Sequence, residues 1–264
     1  MALNLAIVGD GAIATDLRGY LTAHQQLRLL GLLSRHELSA ETQQQGVPRL
    51  SFEQVLESAD VVVEAAGVKA VAEYGPRIID AGKDFLVTSI GAFADSATRR
   101  AVLEGGPGRA FPTTGAIGGL DLLSAAAASG GIDWVQLETR KQPAALKQAW
   151  MSEQELEDLL DAVEPSIIFS GSPAEAITKF PASLNVAVAL GLAVGDLAKV
   201  RVSLVADPAA RLTEHLITAS GGSGEYHFQI RNQPNPRQPS SSGLTARSLL
   251  AGLLRLAEPA GKFI

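Results

Sequence analysis

The chain has 264 residues, of which 46% are hydrophobic and 19% charged, so it can bury a substantial core and is long enough for two domains. Its formal net charge of -6, without any long basic cluster, argues against a nucleic-acid-binding surface. The absence of cysteine excludes disulfides, thiolate nucleophiles and cysteine-ligated metals.

Metal sites and membrane segments are also not expected from the sequence. The histidines lie far apart and form no metal-binding pair; they are His24, His36, His215 and His227. The N-terminus lacks the pattern of a secretory signal, and no apolar run reaches the length of a membrane span. We therefore expect a soluble, cytoplasmic protein without a metal ion and without a membrane partner.

The first elements of the chain form a strand, a glycine-rich turn and a helix. The apolar run from Leu3 to Val8 predicts a buried strand, and a helical pattern begins directly after Gly9-Asp10-Gly11. Gly9 permits the tight turn, and Gly11 lets the backbone approach a pyrophosphate at the start of the helix. A purely structural turn is the alternative, but this order of elements favours dinucleotide binding. The predicted contacts of this loop with the cofactor are Gly9, Gly11, Ala12 and Ile13.

Strand and helix patterns then alternate over the first hundred residues. Further strands are predicted at Leu27–Leu33, Val61–Ala65 and Phe85–Ser89, and helices at Ser51–Ser58, Val68–Asp80 and Asp95–Leu103. This alternation predicts parallel strands in an open, doubly wound α/β sheet of the Rossmann type. In such a sheet ligands bind beyond the carboxyl ends of the strands.

A composition shift at Glu104–Gly108 predicts the domain boundary. Residues 1–107 are expected to form the dinucleotide-binding domain, and residues 108–242 a domain for substrate binding, catalysis and oligomerisation. The later strands partly alternate and follow one another closely, which predicts an α+β domain with a mixed or mainly antiparallel sheet. These strands are Trp134–Thr139, Ile167–Ser170, Val200–Ala206, His215–Ala219 and Tyr226–Arg231.

The connections of this second domain are also predicted. Gly221–Gly224 is expected to form a hairpin turn, and Ala174–Val194 a helical region broken near Pro181. The polar loop Asn232–Ser242 leads into an amphipathic helix at Leu244–Leu256. We expect the segment 243–264 to pack back on the nucleotide domain.

The residue after the second strand bears on the choice between NAD and NADP. An NAD-specific site usually has an acidic residue here for the ribose 2′-hydroxyl, but this chain has Ser34-Arg35-His36. Arg35 would suit a 2′-phosphate. Alternatively, Arg35 is an exposed loop cation and Glu37 takes the acidic role. The sequence leaves both cofactors open.

Other candidates each have a structural alternative. Gly115–Asp121 suits a ligand-binding turn or an ordinary connection between domains. His215 is either a proton acceptor or a buried structural histidine. Asn185 would bind a nicotinamide carboxamide or cap a break in a helix. Arg140 and Lys141 would bind a dicarboxylate substrate or lie at a solvated strand end.

Together, these segments resemble the L-aspartate dehydrogenase family over nearly the whole chain. The motifs that carry the resemblance are Gly9–Ala14, Val63–Ala66, Ser89–Ala92, Gly115–Asp121, Thr139–Lys141, Ala174–Ala176, Phe180–Ala187, Asp207-Pro208, and His215 before Gly221. The resemblance implies a catalytic role for His215 and NAD(P) contacts from Ala116 and Asn185. It also implies a second domain like that of dihydrodipicolinate reductase and homoserine dehydrogenase, in a homo-oligomer, with a dimer favoured.

The reaction that the resemblance implies is oxidative deamination of L-aspartate to iminoaspartate, which hydrolyses to oxaloacetate and ammonia. Two other functions stay open. One is a dehydrogenase or reductase of the same architecture that acts on another amino or imino acid. The other is a non-catalytic NAD(P)-binding sensor.

Overall fold

A computed structural model gives the structure of the chain and describes residues 2–180 and 185–258. Its strands are β1 (Leu3–Val8), β2 (Leu27–Leu33), β3 (Val61–Glu64), β4 (Asp84–Val87), β5 (Arg109–Pro112), β6 (Trp134–Lys141), β7 (Ser166–Gly171), β8 (Val200–Ala206), β9 (Thr213–Gly221), β10 (Gly224–Asn232), β11 (Pro234–Asn235) and β12 (Gln238–Ser242). Its α-helices are α1 (Ala12–Leu21), α2 (Ala40–Gln44), α3 (Phe52–Ser58), α4 (Val68–Asp80), α5 (Ser96–Leu103), α6 (Leu120–Ala128), α7 (Glu153–Leu160), α8 (Pro173–Lys179), α9 (Asn185–Ala193) and α10 (Thr245–Ala257).

The chain divides into two compact units. The first contains the residues up to Gly115 and those from Thr245 onward, and the second spans Ala116–Leu244. The sequence placed these divisions at 107/108 and 242/243. The first position differs because the glycine-rich segment Glu104–Gly108 leads into β5, which pairs with β4 in the sheet of the first unit.

The first unit contains a parallel sheet with the strand order β2-β1-β3-β4-β5. Every residue of β3 and the last four residues of β1 are buried, as the unbroken apolar runs predicted. The chain adds β2 on one side of β1 and the later strands on the other, so the topological switch point of the sheet lies between β1 and β3. The predicted doubly wound sheet is confirmed.

The final helix α10 belongs to this first unit. Its Leu249 and Leu253 are fully buried in the same apolar cluster as Leu5 of β1 and Leu17 of α1. These leucines recur at the spacing of one helix face, which explains why the amphipathic pattern was readable from the sequence. The end of the predicted segment, residues 259–264, lies outside the described residues.

The second unit contains a mixed sheet with the order β10-β9-β6-β8-β7, in which only β6 and β8 run parallel among the described strands. Burial alternates along β6 and β9, so one face of the sheet is covered and the other is more open. The predicted α+β architecture and the hairpin turn at Gly221–Gly224 are confirmed, since Gly221 pairs with Gly224.

Several features of the second unit differ from the prediction. Helix α7 was not predicted, although Ser152 and Glu155 form a capping box at its start. The polar loop Asn232–Ser242 contains the short strands β11 and β12. Pro181, the predicted helix break, lies outside the described residues. Among residues 2–180 and 185–258, no helix is long and apolar enough to cross a membrane.

Candidate active site

The glycine loop of the first unit, Gly9–Gly11, follows β1 and lies at the topological switch point of the sheet. Gly9 has a φ of 110°, in the left-handed region that favours glycine. A Cβ atom on Gly9 would lie 2.7 Å from the carbonyl oxygen of Ala65, directly after β3. The N–H of Gly9 donates to the carbonyl oxygen of Leu33 at the end of β2, 2.9 Å away. The loop therefore contacts the carboxyl ends of both strands that flank β1, which only a glycine permits.

The start of α1 has the features of an anion-binding site. Gly11 is the N-cap residue and has no side chain to accept hydrogen bonds from the first helical N–H groups. A Cβ atom on Gly11 would meet no other atom within 4 Å, so the space beside this helix start is open. The N–H groups of Ala12 and Ile13 have no acceptor within the helix, as at any helix start, so this place suits the negative charge of a pyrophosphate. The residues present thus fit a dinucleotide cofactor.

Glu64 joins the loops at this edge of the sheet, although the sequence marks it only as part of the Val63–Ala66 motif. Its fully buried carboxylate accepts hydrogen bonds from the N–H groups of Ala66 and Gly67, both at 2.7 Å. It also accepts from the N–H groups of Thr88 and Ser89 at 3.2 and 2.8 Å, and from the Ser89 hydroxyl at 2.9 Å. Burial raises the pKa of Glu64, and these donors oppose the shift. One carboxylate thereby holds the turns that follow β3 and β4.

Two buried hydroxyl groups at the same edge have no hydrogen-bond partner within the described part of the chain. They belong to Thr88 and Thr113, the residues that follow β4 and β5. The two positions are neighbours because Val87 pairs with Pro112. Buried hydroxyls are normally satisfied, so this pair is available to polar groups of a ligand or to water.

His215 of the second unit lies on β9, next to the central strand β6 of the sheet. It is 2% exposed, and its Nδ1 atom lies 2.9 Å from the Oγ1 atom of Thr139 on the neighbouring strand β6. The two residues are direct cross-strand partners. Burial, and secondly the positive charge of Lys141, lower the pKa of His215 from 6.5 to about 3. The imidazole is therefore neutral near pH 7.

Lys141 shares the covered face of the sheet with His215. Residues 135, 137, 139 and 141 alternate with more open positions along β6, so Lys141 lies on the same face as Thr139. The lysine is 4% exposed, and its ammonium group donates to the carbonyl oxygen of Ser240 at 2.8 Å. Burial lowers its pKa from 10.5 to about 8. A buried cation beside a neutral imidazole is suited to a carboxylate ligand.

Arg140 lies on the opposite face of β6 and is not brought together with His215. Its guanidinium group pairs with Glu138 at 2.9 Å and with Asp207 at 3.3 Å. Alternation along the strand thus separates the two cations that the sequence could not distinguish.

In the part of the chain that the structure describes, no cluster of three or more histidine, aspartate or glutamate residues could hold a metal ion.

Ala116 is held against the sheet of the second unit. Its carbonyl oxygen accepts a hydrogen bond from the side-chain amide of Asn232 at 2.7 Å. Asn232 is the partner of Thr213 in the β9–β10 pair, two residues from His215. The following Gly119 packs so closely on Phe228 that a Cβ atom would lie 2.7 Å from the ring. The segment that begins at Ala116 is therefore anchored to β10.

Asn185 is the first residue of α9 that the structure describes, and it is partly exposed. The residues that follow it, Val186–Gly191, are buried. The helix packs on α6 and on β8. The contacts of Ala116 and Asn185 with a cofactor stay predictions.

Comparison with known proteins identifies the family. Residues 121–256 match the family model described as aspartate dehydrogenase, C-terminal. The chain belongs to the aspartate dehydrogenase family. Residues 9–105 match the model described as homoserine dehydrogenase, NAD binding domain, in agreement with the glycine loop.

Individual members of the family are similar over most of their length. An L-aspartate dehydrogenase of Thermotoga sp. is 38% identical over 80% of this chain and 83% of its own length. L-aspartate dehydrogenase 2 of Bordetella pertussis is 36% identical over 97% of each chain. The crystal structure of aspartate dehydrogenase from Thermotoga maritima is 30% identical, has a TM-score of 0.76, and covers 100% of this chain and 99% of its own.

A more distant structure shares the fold. A hyperthermophilic archaeal homoserine dehydrogenase in complex with NADPH has a TM-score of 0.58 at 11% identity and covers 97% of both chains. At this level of identity the likeness extends to the fold alone. It agrees with a nucleotide-binding unit followed by an α+β unit.

Proposed function

We propose that the protein catalyses the NAD(P)-dependent oxidative deamination of L-aspartate. The observation that carries the proposal is the buried pair of His215 and Lys141 on one sheet face, in a chain of the aspartate dehydrogenase family. When bound, NAD(P) would supply the oxidant of the reaction, since its nicotinamide can accept a hydride from the substrate Cα atom. The substrate becomes iminoaspartate, and addition of water then releases ammonia and oxaloacetate.

His215 is assigned the proton transfers of this reaction. In the tautomer with hydrogen on Nδ1, the imidazole donates to Thr139 Oγ1, and Nε2 is left as an acceptor. Nε2 takes a proton from the substrate ammonium group and releases it to solvent. It then takes a proton from the water that adds to the imine, and passes that proton to the nitrogen that leaves as ammonia. A substrate carboxylate beside Lys141 cancels one of the two causes that lower the pKa of His215, and so makes the imidazole more basic.

Lys141 is assigned the binding of a substrate carboxylate. Its ammonium group is buried and lies on the face of β6 that carries Thr139, the partner of His215. A charge-assisted hydrogen bond in such a place is stronger than one in water. The carbonyl oxygen of Ser240, which now accepts from Lys141, is a neutral group that a carboxylate can replace. We retain Lys141 rather than Arg140, since Arg140 already pairs with Glu138 and Asp207.

Binding of the cofactor is assigned to the loop after β1. Gly9 and Gly11 let the backbone approach the pyrophosphate, and the N–H groups of Ala12 and Ile13 donate to it. Arg35 is assigned to the adenosine end, and Ala116 and Asn185 to further contacts with NAD(P), as the family resemblance implies. Either NAD or NADP is consistent with the NAD-binding domain model that matches residues 9–105.

The proposal is tested with the purified protein, L-aspartate and either NAD or NADP. Formation of NADH or NADPH is followed by absorbance, and oxaloacetate and ammonia are measured separately. We expect equal amounts of reduced cofactor, oxaloacetate and ammonia. Turnover of another amino acid without turnover of aspartate would overturn the assigned substrate, and NAD(P) binding without turnover of any amino acid would indicate a sensor.

We also propose that the protein forms a homodimer through the open face of the second sheet. Trp134 and Leu216 are 46% and 37% exposed and lie on the face opposite His215. Exposed apolar side chains on a sheet face favour burial against another chain. Light scattering should give the mass of a dimer, and Leu216→Lys should shift the mass toward the monomer.

The cytoplasmic location of the protein stays a prediction.

A further inference from the structure

The segment after β2 has Ser34 and Arg35 directly behind the strand, and its first acidic residue, Glu37, lies four residues after Leu33. In this fold the adenosine ribose of a dinucleotide lies at the end of the second strand, where an acidic residue binds the 2′-hydroxyl of NAD. Here Leu33 is followed by Ser34, Arg35 and His36. A carboxylate directly after the strand would repel a 2′-phosphate, and this chain has Ser34 and Arg35 there instead.

Asp10 is the carboxylate of the glycine loop, and it already accepts hydrogen bonds from the start of α2. Its Oδ2 atom accepts from the N–H of Ser39 at 2.6 Å, and its Oδ1 atom accepts from the hydroxyl of Thr42 at 2.6 Å. Arg18 lies 3.7 Å from the same Oδ1 atom. Asp10 therefore links the glycine loop to the start of α2 and is not positioned as a ribose acceptor.

Arg49 lies beside Ser34 although it is far away in sequence. The N–H of Leu32 donates to the carbonyl of Pro48, and the N–H of Leu50 donates to the carbonyl of Leu32, at 2.9 and 2.8 Å. This pairing places Arg49 at the end of β2. Its Nε and Nη2 atoms both donate to the carbonyl oxygen of Ser34, at 3.2 and 2.9 Å. A second guanidinium group thus borders the segment that carries Arg35.

Gly31 is what permits this approach. A Cβ atom on Gly31 would lie 2.5 Å from the carbonyl oxygen of Pro48 and 2.8 Å from the side chain of Leu50. Any larger residue would push the Pro48–Leu50 segment away from β2. The close packing of β2 against Pro48–Leu50 therefore fixes the position of Arg49.

The existing partner of Arg35 is easily replaced. Arg35 forms an ion pair with Glu73 of α4 at 3.3 Å, but both side chains are about half exposed, at 53% and 47%. Exposed ion pairs contribute little because water and salt screen them. A phosphate group offers Arg35 a more highly charged acceptor with suitable geometry for a guanidinium group.

We propose that Arg35 and Arg49 form a subsite for the 2′-phosphate of NADP(H), and that the protein prefers NADP(H) to NAD(H). Arg35 contacts the phosphate, while Arg49 holds the Ser34–Arg35 backbone and adds positive charge. This inference rests on the proposed function only in assuming that a dinucleotide binds to the loop after β1. The 2′-phosphate makes contacts that NAD(H) lacks. The preference is therefore the difference between the affinities of NADP(H) and NAD(H) for the same dinucleotide site.

The experiment measures binding without any substrate. NADPH and NADH are titrated separately into wild-type protein, and the change in fluorescence of the reduced cofactor gives each Kd. We expect NADPH to bind at least about tenfold more tightly. Arg35→Ala should weaken NADPH binding by about 10- to 100-fold, and NADH binding by less than about threefold. Arg49→Ala should also lower the preference.

Two further variants make the result specific. Arg28→Ala removes the same charge from the other end of β2, and we expect it to leave the ratio of the two Kd values unchanged. Glu73→Gln frees Arg35 from its carboxylate partner, so NADPH binding should become tighter while NADH binding stays the same. Because both residues are exposed, neither change is expected to affect folding.

The outcomes distinguish this inference from the proposed function. Equal or tighter binding of NADH by wild-type protein, or an equal loss for both cofactors in Arg35→Ala, would overturn the 2′-phosphate subsite. Aspartate oxidation with NAD alone would do the same and would leave the proposed function standing. A preference for NADPH without aspartate turnover would support the subsite and contradict the proposed function.

Discussion

The two sheets of the molecule present functional groups in different ways. In the parallel sheet of the first unit, the groups that suit a cofactor are mainly backbone atoms in the turns after the strands, at Gly9, Gly11 and Ala66-Gly67. In the mixed sheet of the second unit, the groups that suit the substrate are the side chains of His215 and Lys141 on a covered strand face. The first site depends on close backbone approach, and the second on burial of titratable groups.

This difference predicts which substitutions will be harmful in each unit. An added Cβ atom should damage the first site, where backbone approaches backbone. Removal of a single functional group should damage the second site while its fold is retained. The following experiments test this contrast.

The largest effect is expected from His215→Asn. The amide cannot accept a proton as imidazole does, so kcat/KM for aspartate should fall by about 10²- to 10⁴-fold. Titration with NADPH should give a Kd close to that of the wild type. His227→Asn is the matched control because His227 is exposed on the neighbouring strand β10. Near-normal kcat in His215→Asn would refute the catalytic assignment.

Glu64→Gln should cause the next largest effect, on stability. The amide retains one acceptor oxygen but sets an NH₂ group against N–H donors that now face a carboxylate oxygen. Leaving such buried donors unsatisfied should lower the free energy of unfolding by about 3 kcal/mol. Urea denaturation measures the loss. Glu57→Gln, on the exposed side of α3, should have an unfolding midpoint close to that of the wild type. Equal midpoints for both variants would contradict the role of Glu64.

Gly9→Ala should destabilise the protein by about 2 kcal/mol and weaken the binding of NADPH and NADH equally. The new Cβ atom combines a left-handed φ with an approach of 2.7 Å to Ala65 O. Gly46→Ala is the control. The φ of Gly46, 68°, is also left-handed, but a Cβ atom added there would meet no other atom within 4 Å. It should lose about 1 kcal/mol of stability and no cofactor affinity. If both variants bind cofactor normally, close approach at Gly9 does not matter for binding.

The smallest effect is a pH dependence from Lys141. Its pKa is lowered from 10.5 to about 8, so the free protein loses this positive charge above pH 8. Inhibition by succinate, a dicarboxylate without an amine, should therefore weaken by about tenfold for each pH unit above 8. Lys141→Met should bind succinate weakly at every pH, whereas Arg140→Met should retain the wild-type profile. A profile without change between pH 7 and 10 would remove Lys141 from carboxylate binding.

Much of the fold could be predicted from local patterns. The bounds of β1, β2, β8 and α4 agree with the sequence patterns residue by residue, because an apolar run or an amphipathic period marks each of them. The short strand β5 was missed since Arg109–Pro112 has neither an apolar run nor alternation. It is a strand because β4 offers it a pairing edge.

The candidate site could be predicted only in part. His215 and the glycine loop were found from motifs and from the family resemblance. Glu64 lies in the Val63–Ala66 motif, but its role could not be predicted, since a single acidic residue at a strand end does not show which loops it joins. The pairing of Arg49 with Ser34 was also unreadable, because it depends on how Pro48–Leu50 packs against β2.

By itself, then, the sequence determined the order of most elements, the dinucleotide-binding loop and the family, because each depends on residues close together in the chain. Tertiary structure decided which cation shares a face with His215, why the imidazole is neutral, and where Arg49 lies. These properties depend on strand register and on burial, which bring together residues as distant as Thr139 and His215. Local patterns do not contain that information.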